Sequence, residues 1–197
     1  RISLINGLAY LSCGYGISVL DVSKKEIKET FFIGNNGAYL NINDIASDGT
    51  KIFAATNEGV FRAALNNPNL SNFNSWTKDG ILPPGNYSQA DFFKGKILVN
   101  YDDPAYESDS IYEWYGGTWM RKPQVTSVDV LNMKAAGDKI IVTTNRLVVI
   151  YDSNWNVSEV INSYQTPRNI EPKHAISGEN NTIWIADNVQ GLVKHTG

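Results

Sequence analysis

Asp44, Asp91, Asn132 and His174 carry groups able to move a proton or hold a ligand, and each lies shortly ahead of an apolar run. If those runs are strands arranged in a ring, the four side chains are expected to converge near its centre. Carboxylate and imidazole groups gathered there would suit acid/base or metal-assisted chemistry. Outside this constellation the chain lacks catalytic signatures. It has no P-loop, no His-Glu-x-x-His, no Cys-x-x-Cys and no Gly-x-Ser-x-Gly elbow. Gly14-Tyr15-Gly16 opens like a dinucleotide fingerprint, but the third glycine is missing and a strand pattern follows. Without a helix N-terminus to hold phosphate, the segment reads as a hairpin turn. No catalytic, cofactor-binding or metal-binding residue is therefore assigned, no cofactor is expected, and the binding residues are undetermined.

Other candidates have plainer readings beside the functional ones. His174 and His195 are the only histidines, and no Cys/His cluster accompanies them. The acidic stretch from Asp102 to Asp109 offers oxygen ligands but lacks the spacing of an EF-hand loop, so it reads as a solvated loop. Trp76, Trp114, Trp119, Trp155 and Trp184 could stack on sugars or fill space between repeats. Trp184 aligns with Phe53 and Ile141 and is expected in the core. Asn-x-Ser/Thr triplets begin at Asn69, Asn86, Asn156 and Asn180, a weak signal in a chain this rich in Asn, Ser and Thr.

Composition narrows the classes. The 197 residues are 42% hydrophobic and 19% charged, with a formal net charge of -3. That balance suits a globular protein and argues against a nucleic-acid partner. No apolar run reaches the roughly 18 residues of a membrane span, so no membrane partner is expected in this segment. The sole cysteine, Cys13, cannot form an internal disulfide. Opening on Arg1 without Met or a signal-peptide pattern, the chain reads as an excised or processed segment.

The most informative feature is a repeat. Lys51-Ile52-Phe53-Ala54-Ala55-Thr56-Asn57 aligns without a gap on Lys139-Ile140-Ile141-Val142-Thr143-Thr144-Asn145. With Ala9, Ile52, Ile97, Ile140 and Ile183 as anchors, the steps are 43, 45, 43 and 43 residues. Such a period indicates propeller blades or helical repeats. Period-2 alternation, β-branched residues and Asp-Gly or Asn-x-Gly turns decide for strands. The expected fold is all-β: a β-propeller of about five four-stranded blades spanning approximately 1–40, 41–86, 87–127, 128–171 and 172–197. In the second unit, strands are predicted at Ile42 to Ser47, Ile52 to Thr56 and Val60 to Leu65, with a fourth near Trp76. Ser23 to Thr30 is expected to be a charged hairpin turn leading into a strand at Phe31-Phe32-Ile33. The last unit shows only three strands, so the chain is expected to be part of a larger, six- to eight-bladed ring. Unpaired edges are expected to permit a homodimer.

Two sets of residues then carry a resemblance. Asn181-Thr182-Ile183-Trp184-Ile185-Ala186-Asp187-Asn188 with Gly191-Leu192 looks like the two-component regulator propeller repeat of bacterial extracytoplasmic sensors. Gly14 to Asp21, Glu26 to Gly34, Ala54 to Val60 and Trp76 together resemble the N-terminal β-propeller of PorZ-like proteins of the type IX secretion system. The latter resemblance implies an exported accessory factor, periplasmic or at the cell surface, that works with the sorting enzyme attaching cargo to surface lipopolysaccharide. It implies a protein partner or a surface glycan, and it transfers no catalytic residue. The former implies, as an alternative, a ligand-sensing ectodomain of a hybrid two-component receptor. A propeller glycosidase, lyase or lactonase is the remaining alternative.

Overall fold

A computed structural model describes residues 1–104, 108–122, 129–164 and 168–196. The alternating sequence folds into five antiparallel sheets, each a meander of consecutive strands. The first sheet holds β1 (Ile2–Ile5), β2 (Leu8–Cys13), β3 (Gly16–Asp21) and β4 (Glu26–Phe31). The second holds β5 (Ile42–Ser47), β6 (Lys51–Thr56), β7 (Gly59–Ala64) and β8 (Thr77–Lys78). β9 (Asn86–Phe93), β10 (Lys96–Asp102), β11 (Ser110–Tyr115) and β12 (Thr118–Arg121) make the third. β13 (Val130–Ala136), β14 (Lys139–Thr144), β15 (Val148–Tyr151) and β16 (Val157–Ile161) make the fourth. The fifth has three strands among the described residues: β17 (Pro172–Ser177), β18 (Thr182–Asp187) and β19 (Gly191–Thr196).

The second sheet follows the expected strands to within one residue, and its fourth strand begins directly after Trp76. The first sheet differs from expectation. Its charged stretch is not a turn: β4 already runs from Glu26, and Phe32 lies beyond its end. The turn is confined to residues 22–25, where Asp21 Oδ1 accepts hydrogen bonds from the Ser23 and Lys24 amides at 3.0 and 3.1 Å. β4 is an edge strand, so its charged side chains face solvent without penalty.

The residues divide into two compact units, Arg1–Tyr101 with Tyr112–Met120, and Asp102–Ile111 with Arg121–Gly197. In the first unit, the period-2 alternation of β6 sends its side chains into two cores. Ile52 and Ala54 join Tyr10, Ile17 and Phe31 of the first sheet, while Phe53 and Ala55 join Tyr87, Ile97, Trp114 and Trp119. In the second unit, Ile141, Val148 and Ile150 pack with Ala175, Ile183 and Ile185 of the fifth sheet. The second sheet thus uses one face per neighbour, as a blade does.

Among the described residues, one sheet face in each unit is left exposed. Ile2, at the register position of Ile45, is 67% exposed where Ile45 is 2% exposed. In the second unit, Ile176 and Leu192 are exposed, and Trp184 is only half-buried although its equivalents Phe53 and Ile141 are fully buried. Trp184, expected in the core, thus lies outside it although its register matches that of Phe53 and Ile141. No following sheet covers it among the described residues.

Gly16 and Gly59 begin equivalent strands with φ of +149° and +146°. A Cβ on Gly16 would lie 2.1 Å from the Phe31 carbonyl oxygen, whereas one on Gly59 would meet the flexible Lys78 side chain at 2.9 Å. Backbone cannot yield as a lysine can. Gly16→Ala is therefore expected to cost about 3 kcal/mol and Gly59→Ala about 1 kcal/mol, read from urea midpoints.

Aspartates close several turns, and their chemistry sets an acid response. Burial pushes the Asp187 carboxyl up, but hydrogen bonds from the Gln190, Val189 and Glu171 amides and the Tyr164 hydroxyl hold it below the usual range. Asp48 behaves alike: burial raises it, and bonds from Lys51 and Thr50 more than offset this. A carboxyl lowered on folding stabilises the fold above its unfolded pKa of about 3.9, and that contribution is lost as pH falls through the folded value. Thermal stability is expected to hold from pH 7 to 5 and fall below about pH 4. The fall should be shallower in Asp187→Asn.

Candidate functional site

The first strands present one repeated position. In the second, fourth and fifth sheets the pairing register shifts by one residue between Ile42 and Asp44, between Val130 and Asn132, and between Pro172 and His174. This β-bulge sets Asp44 opposite Ala55, Asn132 opposite Thr143 and His174 opposite Ala186. Three of the four residues nominated from sequence are therefore equivalent. Asp91 is not. Its equivalent place, eight residues before Ile97, belongs to Gln89, which is 1% exposed. Asp91 is half-buried and accepts a hydrogen bond from the Phe92 amide at 2.8 Å. Arg1 holds the same place ahead of Ala9.

Asp44 is committed to the fold. Its Oδ1 accepts the Ile45 amide at 3.0 Å, and its Oδ2 accepts the Ala90 amide at 3.3 Å beside the Arg1 guanidinium at 3.4 Å. A carboxylate held by two amides and a cation is a clasp between sheets rather than a proton shuttle. In the second unit Asn132 and Thr143 are fully buried opposite each other, and His174 is exposed. In each unit the position carries a polar side chain at the bulge of a first strand.

The other sequence candidates resolve into structural roles. Trp76 donates its indole N–H to the Leu70 carbonyl at 2.8 Å. Trp114 and Trp119 pack on Phe53, and Trp155 packs on Tyr151 at 5.3 Å between centroids. His195 Nε2 lies 2.5 Å from Glu159 Oε1. Of the acidic stretch, residues 105–107 lie outside the described residues, and Asp109 is buried, accepting the Val130 amide at 2.9 Å. Asn86 Oδ1 accepts a hydrogen bond from Asn43 of the second sheet, and Asn156 Nδ2 donates to Asp152 within its own turn. Among the described residues no three His, Cys, Asp or Glu side chains gather as a metal site. The second unit also holds an open cleft of about 780 Å³ lined by Arg146, Arg168, Lys173, Asn145 and Asn162, among others.

A different surface emerges in the first unit. Tyr15, Phe32 and Tyr39 are 40%, 36% and 76% exposed and touch one another. Phe32 and Tyr39 stack at 5.4 Å and 30°, and Tyr15 sits 6.2 Å and 6.3 Å from them. Beside them runs an amide ladder. Asn41 Nδ2 donates to Asn43 Oδ1 at 2.7 Å, and Asn43 Nδ2 donates to Asn86 Oδ1 at 2.7 Å and to the Tyr87 carbonyl at 2.8 Å. These aromatics were not legible from the repeat, because all three lie in connections between strands. A usable signal was present. No Asp, Glu, Lys or Arg occurs between Glu29 and Asp44, and none between Arg62 and Lys78.

Comparisons with known proteins agree with this architecture. Residues 1–77 match the family described as TSS9, PorZ, N-terminal beta-propeller domain. No curated protein matches the chain. Among solved structures, PorZ, an essential bacterial surface component of the type IX secretion system of Porphyromonas gingivalis, superposes with a TM-score of 0.73 at 18% identity, covering 98% of this chain and 24% of that one. The extracellular domain of a hybrid two-component system from B. thetaiotaomicron gives a TM-score of 0.70 at 14% identity, covering 100% of this chain and 26% of that one. The WD40 β-propeller domain of Doa1 gives 0.62 at 10% identity, covering 98% and 63%. The chain thus spans about a quarter of the length of the PorZ and hybrid-system chains it matches. At these identities the likeness concerns the fold. The chain has a β-propeller fold, and its first 77 residues match the model of the PorZ N-terminal β-propeller domain.

Proposed function

We propose that this chain is a noncatalytic interaction scaffold of an exported bacterial protein, a PorZ-like accessory factor of type IX secretion that engages a protein partner or a surface glycan. One observation carries the reading: an exposed aromatic and amide face stands on a scaffold whose polar first-strand carboxylate, Asp44, is consumed by structural bonds. Function resides in sites set on a fold, and here the free chemistry suits recognition rather than turnover. Export is supported by the surface location of PorZ and the extracellular one of the hybrid-system domain. The test is a pull-down from extracytoplasmic extract with the complete protein as bait, with captured proteins and glycans identified by mass spectrometry. Recovery of the sorting machinery or of surface lipopolysaccharide is expected. Hydrolysis or elimination of a glycan at enzyme-like rates would overturn the reading. The likeness to the hybrid-system ectodomain favours a second reading as a sensor, under which the parent gene should encode a transmembrane helix and kinase downstream.

A further inference from the structure

We infer that the Tyr15–Phe32–Tyr39 face, with the Asn41 and Asn43 amides beside it, is a subsite for a neutral, hydroxyl-rich glycan. The inference rests on the interaction-scaffold reading above and names the occupant. Exposed aromatic rings in mutual contact are costly in water and rarely gather without a ligand or partner. The sheet does not demand these three. Phe32 and Tyr39 lie in the connection between β4 and β5, and Tyr15 lies in the turn between β2 and β3. Their contacts hold the rings in place before anything binds, which lowers the ordering cost of association.

The surroundings select the chemistry. The whole connection from Thr30 to Asn43 is uncharged, and Gly37 within it packs against Phe73 of the equally uncharged segment before Lys78. A charged ligand finds no counter-charge on these segments. What they offer is amides and ring faces. A Cβ on Gly14, next to Tyr15, would lie 3.7 Å from Asn41 Oδ1, so the amide ladder adjoins the aromatic cluster. Asn41 spends one N–H on Asn43 and is itself exposed, leaving a donor and an acceptor for a ligand. A pyranose matches both halves. Its C–H face lies on the electron-rich face of Tyr39, and its hydroxyl rim reaches the amides.

The experiment titrates the intact chain with maltohexaose, cellohexaose and mannohexaose, and with an anionic heparin hexasaccharide, by calorimetry and by NMR. Saturable binding of at least one neutral hexasaccharide is expected. Tyr39→Ala should weaken it at least about tenfold, and Tyr39→Phe should retain most of it. Because Tyr39 is 76% exposed, its removal leaves the melting temperature unchanged; Phe32→Ala gives an independent check. The inference falls if no neutral hexasaccharide binds, if only the anionic one binds, or if binding survives both substitutions. Capture of a protein that Tyr39→Ala abolishes, with no saccharide binding, overturns the glycan assignment and leaves the scaffold reading standing. Absence of both protein capture and saccharide binding in the unsubstituted protein overturns both.

Discussion

Asp79→Ala is expected to destabilise the chain by about 3–5 kcal/mol, measured by urea unfolding. The Asp79 side chain is 1% exposed, and three groups depend on it. Its Oδ2 accepts the Trp119 indole N–H at 2.8 Å and lies 3.7 Å from the Arg62 Nε, while its Oδ1 accepts the Ile81 amide at 3.0 Å. Alanine would leave a buried indole N–H and a partly buried guanidinium without their acceptor. Removing one partner of a buried pair costs far more than the pair contributes relative to an apolar substitute. Arg62 also lies 4.5 Å over the Trp114 ring, so its displacement would loosen the aromatic packing beneath. Asp79→Asn keeps an acceptor oxygen and should lose less than half as much. A loss under about 1 kcal/mol for alanine would show that water takes over the carboxylate's role.

The second large effect compares two residues at one repeated position. Phe53→Ala should cost about 3–5 kcal/mol, because the ring is fully buried and sits 5.9 Å from Trp114 and 6.2 Å from Trp119. Trp184→Ala removes a larger side chain from the equivalent place and should cost only about 1 kcal/mol. The difference is coverage. Phe53 is closed over by the third sheet's tryptophans, whereas Trp184 is half-buried, with Lys194 over its ring at 5.8 Å and Gly178 beside its indole. Equal losses at the two positions would refute the assignment of an uncovered face to the fifth sheet. Because Phe53 and Asp79 share Trp119, their double variant should lose less than the sum.

Much of this architecture was legible in the residues. The anchors Ala9, Ile52, Ile97, Ile140 and Ile183 gave the repeat, since a strand buried on both faces must keep apolar residues at fixed spacing. The position shared by Asp44, Asn132 and His174 was legible too. Its use was not, because hydrogen bonds from the Ile45 and Ala90 amides to Asp44 depend on a bulge that no sequence spacing displays. Asp91 was misplaced because it lies 47 residues after Asp44, whereas the step between the anchors Ile52 and Ile97 is 45 and points to Gln89. β4 escaped because charged residues on an edge strand look like a turn. Tyr15, Phe32 and Tyr39 lie in connections outside the repeated strands, so periodicity carried no information about their meeting.

All five sheets are meanders, and that has a consequence for how the molecule comes apart. Every backbone ladder closes within one stretch of chain, and within each unit neighbouring sheets meet through side chains, by apolar packing and, in the first unit, by hydrogen bonds such as those of Asn43 and Asp44. Stability in such a solenoid-like array sums local terms and nearest-neighbour terms, so it can be graded along the chain instead of shared equally. Amide hydrogen exchange should trace that gradient. Protons of β6, in the sheet whose alternate faces enter two cores, would be the last to exchange, while those of β19, whose residues are nowhere fully buried, would fray first.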